Sequence, residues 1–219
     1  FGDTLARRPE HYYRKIRDQG AAQDEHHGEG IASAHDRVHF RHPVSAEDLD
    51  PDALARVLFV DRQNGQPVRY HRLSVQGARA ELSAKGIGKT ISIDDNRLSV
   101  EYRLDAAAAP LQTEINLAMP SCDGFLGRFV VDGEVPGGFG QSFTWEGIQA
   151  VTLEDRVLHG RIVLSCSRPV TISAAPHQTV SQSEDGFEKI MQAVTLRVSM
   201  QPQAAEAWVL ILTVEPLPD

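Results

Sequence analysis

The sequence is poor in cysteine, in aromatic residues and in long apolar runs. Its two cysteines, Cys122 and Cys166, lack CxxC spacing, so the sequence predicts neither a disulfide framework nor a zinc knuckle. Reduced thiols are typical of the cytoplasm, where we therefore expect the protein. No run of about 18 apolar residues occurs, so we expect no membrane span. The chain begins at Phe1 without a secretory signal pattern, and we expect it to be a piece of a longer protein.

Positive charge is scarce as well. The 22 Lys and Arg residues are outnumbered by 30 Asp and Glu residues, which gives a net charge of -8. Such a charge repels phosphate backbones and anionic lipids, so we expect neither nucleic acid nor a membrane as a partner. A neutral or cationic ligand fits this charge better.

Familiar catalytic and cofactor motifs are missing. Gly88-Lys89-Thr90 resembles the end of a phosphate-binding loop, but position 83 is Ser83 instead of glycine, and the residues that follow predict a strand. No G-x-S-x-G motif occurs. On a strand, His35 and His39 would share a face with two arginines, which oppose a divalent cation. We therefore expect no cofactor and no metal site.

The fold class follows from the pattern of apolar residues and turns. Residues 1–20 predict one helix, with Pro9 at its first position and Gly20 as its cap, and residues 21–30 predict a linker. After Gly30, alternating segments predict an antiparallel β-sandwich, with a hairpin turn at Asn64-Gly65. The predicted strands are residues 36–40, 57–61, 67–75, 78–83, 89–93, 98–104, 111–119, 150–153, 157–165, 170–173, 191–200 and 207–214.

Residues 121–147 interrupt this rhythm. They contain seven glycines and five aromatic residues, and we predict a long loop there. The aromatic side chains either anchor this loop to the core or form a platform for flat ligands, with Trp145 as a stacking surface.

Polar side chains are concentrated at two further places. In residues 111–119, alternation puts Glu114 and Asn116 on the face opposite Ile115 and Leu117, which suits a hydroxyl-rich ligand or a strand facing solvent. Residues 174–192 hold, among other polar groups, the carboxylates of Glu184 and Glu188, the amides of Gln178 and Gln182, a histidine and three hydroxyls. This density favours either a polar site on a sheet or a well hydrogen-bonded turn.

The residues at 179–188, T-V-S-Q-S-E-D-G-F-E, are close to a T-V-S-Q-S-E-x-G-F-E motif. Through it the chain resembles the C-terminal segment of family 57 glycoside hydrolases, the α-amylase and 4-α-glucanotransferase group. S-A-H-D-R at 33–37 and E-I-N-L at 114–117 support this resemblance, which extends from about residue 31 to the C-terminus.

The resemblance implies a mainly β fold, an antiparallel β-supersandwich of the galactose-mutarotase-like type, attached after a catalytic barrel and a helical region. Residues 1–30 would be a helical tail of the preceding domain plus a linker, and residues 31–219 the β-supersandwich. No alternation of strands and helices predicts the barrel in this chain. Its partners would be the catalytic barrel and helical domain of the same parent chain, and an α-glucan oligosaccharide.

The expected function is therefore that of a non-catalytic accessory domain of an α-glucan-acting enzyme, with no catalytic residue in this chain. Side chains predicted to contact sugar are Glu114, Asn116, Trp145, His177, Gln182, Glu184 and Glu188. One alternative is a mutarotase-like enzyme in which His177 and Glu184 or Glu114 form an acid/base pair. Another is a purely structural module that fixes an interdomain contact.

Overall fold

The computed structural model describes residues 6–23, 44–119, 126–183, 186–202 and 207–217, without the side chains of residues 19–23 and 183. Two compact units divide the chain. The first contains residues 1–56 and 177–192, and the second contains residues 57–176 and 193–219. The predicted boundary near residue 30 lies outside the described residues, so the division into residues 1–30 and 31–219 stays a prediction. None of the described helices is long and apolar enough to cross a membrane.

The chain is mainly antiparallel β, as the sequence predicts. One α-helix, α1 (His11–Gln23), and a short 3₁₀ helix (Ala46–Leu49) are the helical elements of the described residues. The strands are β1 (Val60–Gln63), β2 (Gln66–Pro67), β3 (His71–Gln76), β4 (Arg79–Ala84), β5 (Ile87–Asp94), β6 (Arg97–Leu104), β7 (Leu111–Leu117), β8 (Gly127–Val131), β9 (Glu134–Gly138), β10 (Phe143–Asp155), β11 (Gly160–Ser183), β12 (Gly186–Met200) and β13 (Trp208–Pro216).

The strand order is β2-β1-β7-β12-β11-β13-β6-β5-β4-β3, and β10 joins β11 to β8, which pairs with β9. Strands β11 and β12 have residues in both units. The predicted hairpin at Asn64-Gly65 is confirmed, because both residues have positive φ, +49° and +75°, and β1 pairs with β2 across them. Positive φ at both positions is what a two-residue hairpin of the right twist requires.

The core of the second unit is built from side chains on the inner faces of these strands. Its largest fully buried side chains are Val100, Tyr102, Leu111, Ile115, Phe129, Phe139, Leu153, Leu164, Ile172, Leu196, Met200 and Leu210. They alternate with more exposed positions along most strands, as expected for a sheet with one buried face. Strand β7 is an exception, since Glu114 and Ile115 are both buried.

The prediction of a long loop over residues 121–147 is wrong where the structure describes them. Strands β8 and β9 lie there, joined by a turn at Asp132-Gly133, and β10 begins at Phe143. Phe129 and Phe139 are fully buried, which confirms the core-anchoring role for these two rings. The high glycine content obscured the alternation, although the Asp-Gly pair is itself a hairpin signal.

Two predicted boundaries also differ. Helix α1 begins two residues after Pro9 and continues through Gly20 to Gln23, so Gly20 does not cap it. The predicted strands at 157–165 and 170–173 are joined in one strand, β11, which begins at Gly160 because residues 156–159 form a turn. Pro169 lies between the segments that pair with β10, where the register shifts, and a proline is tolerated at such a bulge.

Candidate functional site

The motif at residues 179–188 forms the adjoining ends of two neighbouring strands in the first unit. Residues 179–183 end β11, and residues 186–188 begin β12. Gly186 has φ +121°, a backbone conformation that side chains disfavour, which explains the glycine in the motif. Glu184 lies outside the described residues, so its predicted sugar contact stays a prediction.

Helix α1 packs on these strand ends. Tyr13, Ile16, Leu49, Val180 and Phe187 form a buried apolar cluster, to which the Tyr12 ring adds a contact with Phe187 at a centroid distance of 5.6 Å. The hydroxyl groups of both tyrosines point to the Val180 carbonyl oxygen, at 2.9 Å from Tyr12 and 3.4 Å from Tyr13. The motif therefore supplies both apolar contacts and a backbone acceptor for the helix.

A buried carboxylate, Asp52, contacts both the segment before α1 and the start of residues 174–192, here called the motif region. The backbone N–H of Arg7 donates to Asp52 Oδ2 at 2.7 Å, and the Arg56 guanidinium donates to Oδ1. His177, which is 4% exposed, places Nε2 3.7 Å from Asp52 Oδ2. Burial raises the pKa of Asp52, but the hydrogen bonds from Arg56 and from the Arg7 backbone outweigh it and hold the pKa below its ordinary value.

Other polar groups of the motif region have protein partners. Lys189 forms an ion pair with Asp48 at 2.6 Å, and the Gln192 amide donates to Thr179 Oγ1 at 3.1 Å. Burial raises the pKa of Asp48, whereas the hydrogen bonds from Lys189 and Ser45 lower it, and the net effect is a lowered pKa. Of the remaining residues predicted here, Gln182 is exposed and Glu188 is half-buried.

Glu114 and Asn116 are brought together in the second unit, as alternation predicts. The Asn116 amide donates to Glu114 Oε1 and to the Val57 carbonyl, both at 3.1 Å. Thr195 donates to Asn116 Oδ1 at 2.7 Å, and Arg197 donates to Glu114 Oε2 at 3.0 Å. The alternative of a strand facing solvent is wrong, because Glu114 is 6% and Asn116 5% exposed. The pair is part of a buried hydrogen-bond network.

Trp145 lies half-buried on β10, also in the second unit. Its ring stacks on Phe143 at a centroid distance of 5.3 Å and an angle of 14°, and it meets the edge of Phe129 at 5.6 Å. One face of the indole is therefore already covered by a protein ring.

A second buried carboxylate, Asp61, was not singled out by the sequence. Lys89 Nζ lies 2.6 Å from Asp61 Oδ2, and the hydroxyl groups of Tyr70 and Tyr102 donate to the same carboxylate at 2.9 and 2.8 Å. Burial lowers the pKa of Lys89, and the neighbouring Asp61 partly restores it. The ammonium also faces three aromatic rings at 5.2 to 6.0 Å, those of Phe59, Tyr70 and Tyr102.

This cluster gives a structural role to the lysine of the Gly88-Lys89-Thr90 sequence. The prediction that a strand follows it is confirmed, and the lysine itself lies inside β5, where its charge is neutralised by Asp61. No group of three or more metal-ligating side chains occurs among the described residues. His35, His39 and their arginine neighbours lie outside that part of the chain.

Comparison with known proteins gives one family. The family model described as "Alpha-amylase/4-alpha-glucanotransferase, C-terminal" matches residues 1–82 and 72–212. Comparison with curated protein sequences finds no match.

Solved structures also match this chain, among them a glucanotransferase and a lyase. The 4-alpha-glucanotransferase from Thermococcus litoralis superposes with a TM-score of 0.52 at 14% identity, over 83% of this chain and 32% of that chain. Heparan sulfate lyase HepC from Pedobacter heparinus has a TM-score of 0.45 at 10% identity, over 74% of this chain and 24% of that chain. This chain thus spans about a third of the glucanotransferase and about a quarter of the lyase.

Proposed function

The chain belongs to the family of C-terminal domains of α-amylases and 4-α-glucanotransferases, and from this premise we propose that it is the accessory β domain of a longer α-glucan-acting protein. The family match over residues 1–82 and 72–212, nearly the whole chain, carries the proposal. The reaction would belong to a catalytic barrel elsewhere in the parent protein, and this domain would support that barrel and its helical region.

The finer assignment is to a family 57-like enzyme of the cytoplasm. The motif at 179–188 supports the family. The compartment rests on the scarcity of cysteine and the lack of CxxC spacing. Cys166 is a free and buried thiol whose pKa is raised to about 12 by burial. A thiol with such a pKa stays protonated and unreactive at neutral pH.

Contact with oligosaccharide is part of the proposal. Gln182 is exposed and Glu188 half-buried on the motif strands, and Trp145 offers an aromatic surface on β10. Glu184, Glu114, Asn116 and His177 complete the set that we propose to act with sugar. Glu114, Asn116 and His177 are buried, so their part would be to fix the surrounding structure. Amide, carboxylate and aromatic groups are the types that recognise hydroxyl-rich rings.

A structural module is the second candidate, and a specific observation favours it. The contact of His177 with Asp52 and the network around Glu114 engage polar side chains of the set with protein partners. Beside them, Lys189 forms an ion pair with Asp48. Such saturated networks fix a single arrangement of a buried region. In this function the motif would hold its own unit together for docking against the rest of the parent chain.

An assay of the 219-residue chain alone tests the accessory role. We expect no hydrolysis or transfer when maltoheptaose is incubated with the chain and the products are separated by chromatography. Polarimetry of freshly dissolved α-glucose in the same preparation tests the mutarotase-like alternative, and we expect the spontaneous rate only. New oligosaccharides or accelerated anomer interconversion, lost on replacing His177, would assign catalysis to this chain and contradict the proposal.

A further inference from the structure

A groove in the first unit has no assigned role. It has a volume of about 410 Å³ and lies between the segment before α1, the first turn of that helix and the ends of β11 and β12. Pockets of about 300–1,000 Å³ are typical of small-molecule sites. Of the residues predicted from the sequence to contact sugar, those that the structure describes do not line it.

The strand side of the groove is neutral and rich in hydroxyl and amide groups. Thr179 and Ser181 are two apart on β11, and Ile190 and Gln192 are two apart on β12, so each pair projects from one face of its strand. The hydrogen bond from Gln192 to Thr179 joins the two faces into a single wall. This wall offers donors and acceptors beside one aliphatic side chain.

The helix side carries a balanced charge. Arg8 and Glu10 have opposite signs, and the charge of Arg7 is directed to Asp52, 3.8 Å away, and to the Glu47 carbonyl. A site for phosphate or sulfate would need an excess of cationic donors, since anions are held by several positive groups at once. The described lining residues give no such excess once Arg7 is directed to Asp52, so their chemistry favours a neutral ligand.

Tyr12 adds an aromatic side chain with a fixed position. Its hydroxyl donates to the Val180 carbonyl, and its ring packs against Phe187, so the ring needs no reordering when a ligand enters. A rigid aromatic group beside hydroxyl and amide groups matches a sugar, which has apolar C–H faces and hydroxyls that both donate and accept.

From this geometry we infer that the groove between α1 and the strand ends binds a short neutral oligosaccharide. The assignment of that oligosaccharide as an α-glucan rests on the proposed function, whereas the site itself rests on the groove. Ser181, Gln192 and Tyr12 are the binding residues, and the charges of the helix side favour a neutral ligand over an anion.

Titration of the ¹⁵N-labelled 219-residue chain with maltopentaose, followed by amide chemical shifts, tests the inference. We expect shifts at residues 6–13, 179–181 and 190–192. Ser181→Ala and Gln192→Ala should each weaken binding about fivefold, as for loss of one neutral hydrogen bond. Gln149→Ala, an exposed amide on β10, is the matched control and should leave the affinity unchanged. The dispersion of each variant's spectrum verifies that it is folded.

Other results of the titration separate the groove from the identity of its sugar. Equal binding of cellopentaose would keep the groove as a sugar site and remove the α-glucan assignment. Shifts that cluster at residues 143–145, shifts produced by inorganic phosphate instead of sugar, or no shifts with any sugar would each overturn the groove assignment. Shifts at residues 143–145 would leave the proposed contact with oligosaccharide at Trp145, and no shifts with any sugar would remove that contact. The accessory role itself is judged separately by the product assay with maltoheptaose.

Discussion

Asp52 and Asp61 are the two residues whose surroundings depend most on long-range contacts. Asp52 meets Arg7 and His177, and Asp61 meets Lys89 and Tyr102. These partners are separated by at least 28 positions in the sequence, so neither periodicity nor motif spacing could pair them. The pairing of Glu114 with Asn116 was predictable because it depends on the strand period alone.

Replacing the Asp52 carboxylate should loosen the first unit. In Asp52→Asn, the guanidinium of Arg56 loses its buried anionic acceptor, and we expect a loss of about 3 kcal/mol in the stability of α1 against opening. Hydrogen exchange of the α1 amides measures this loss directly. Asp50→Asn is the control, because its pair with Arg17 is exposed and should contribute at most about 0.5 kcal/mol. Equal exchange rates in wild type and Asp52→Asn would contradict the role given to Asp52.

Acid should weaken the same unit. Asp48 and Asp52 have lowered pKa values, so the unfolded state binds more protons than the folded state around the ordinary carboxyl value of 3.8. Their contribution to stability is therefore complete above 3.8 and is lost as the pH falls through the lower folded values. Exchange of the α1 amides as a function of pH, corrected for intrinsic rates, should show protection falling below 3.8. Asp52→Asn should flatten this pH dependence. An unchanged profile would contradict the contribution of Asp52 to the acid sensitivity.

Removing one partner of the buried pair of Lys89 and Asp61 should lower the stability of the protein more than replacing both partners by apolar residues. Lys89→Met leaves the Asp61 carboxylate buried without its cation, with an expected loss of about 3–5 kcal/mol. Adding Asp61→Leu should recover part of that loss, because both charges are then absent. Denaturant unfolding followed by fluorescence reports on this unit, which contains both tryptophans.

Lys85→Met, at an exposed turn, is the control for the lysine substitution and should change stability by less than about 0.5 kcal/mol. Additive losses in the double variant would show that the two charges are not coupled.

At the scale of elements, strands with clear alternation were predictable and glycine-rich ones were not. Strands β6 and β7 begin within one residue of their predicted positions. Strands β8 and β9 were missed because Gly127, Gly137 and Gly138 leave few side chains to alternate. The extension of β11 and β12 through the motif was missed because polar residues are dense there. Some of them, such as His177 and Lys189, contact Asp52 and Asp48 instead of solvent.

Gly137 on β9 is required by a close approach to β10. A Cβ at this position would lie 2.6 Å from Phe143 Cζ and would also meet the Gln141 side chain, which accepts a hydrogen bond from the Gly138 N–H. We expect Gly137→Ala to destabilise the second unit by about 1–3 kcal/mol. It should also alter tryptophan fluorescence, because Phe143 stacks on Trp145.

Gly88→Ala on β5 is the matched control. Its Cβ would meet only Arg103 Cβ at 3.7 Å, an ordinary contact, so we expect a change of less than about 0.5 kcal/mol and an unaltered emission spectrum. Similar effects of the two substitutions would refute the packing of Gly137 against Phe143.

At the scale of the whole molecule, the fold class and the family could be predicted, but the division into units could not. The ten-residue motif identified the family, and the β pattern gave an antiparallel architecture. Each unit combines two segments that are far apart in the sequence, residues 1–56 with 177–192 and residues 57–176 with 193–219. The division therefore depends on long-range contacts. The candidate site was predictable only as a segment, since the groove also needs residues of α1.

The central claim is that this chain is an accessory domain of an α-glucan-acting protein. It is tested most directly by measuring maltoheptaose conversion with the catalytic region of the parent protein alone, with the 219-residue chain alone, and with the two co-expressed. We expect no conversion by this chain, and faster or longer-lasting conversion by the pair than by the catalytic region alone. Conversion by this chain alone, or a catalytic region that is equally active and stable without it, would contradict the account.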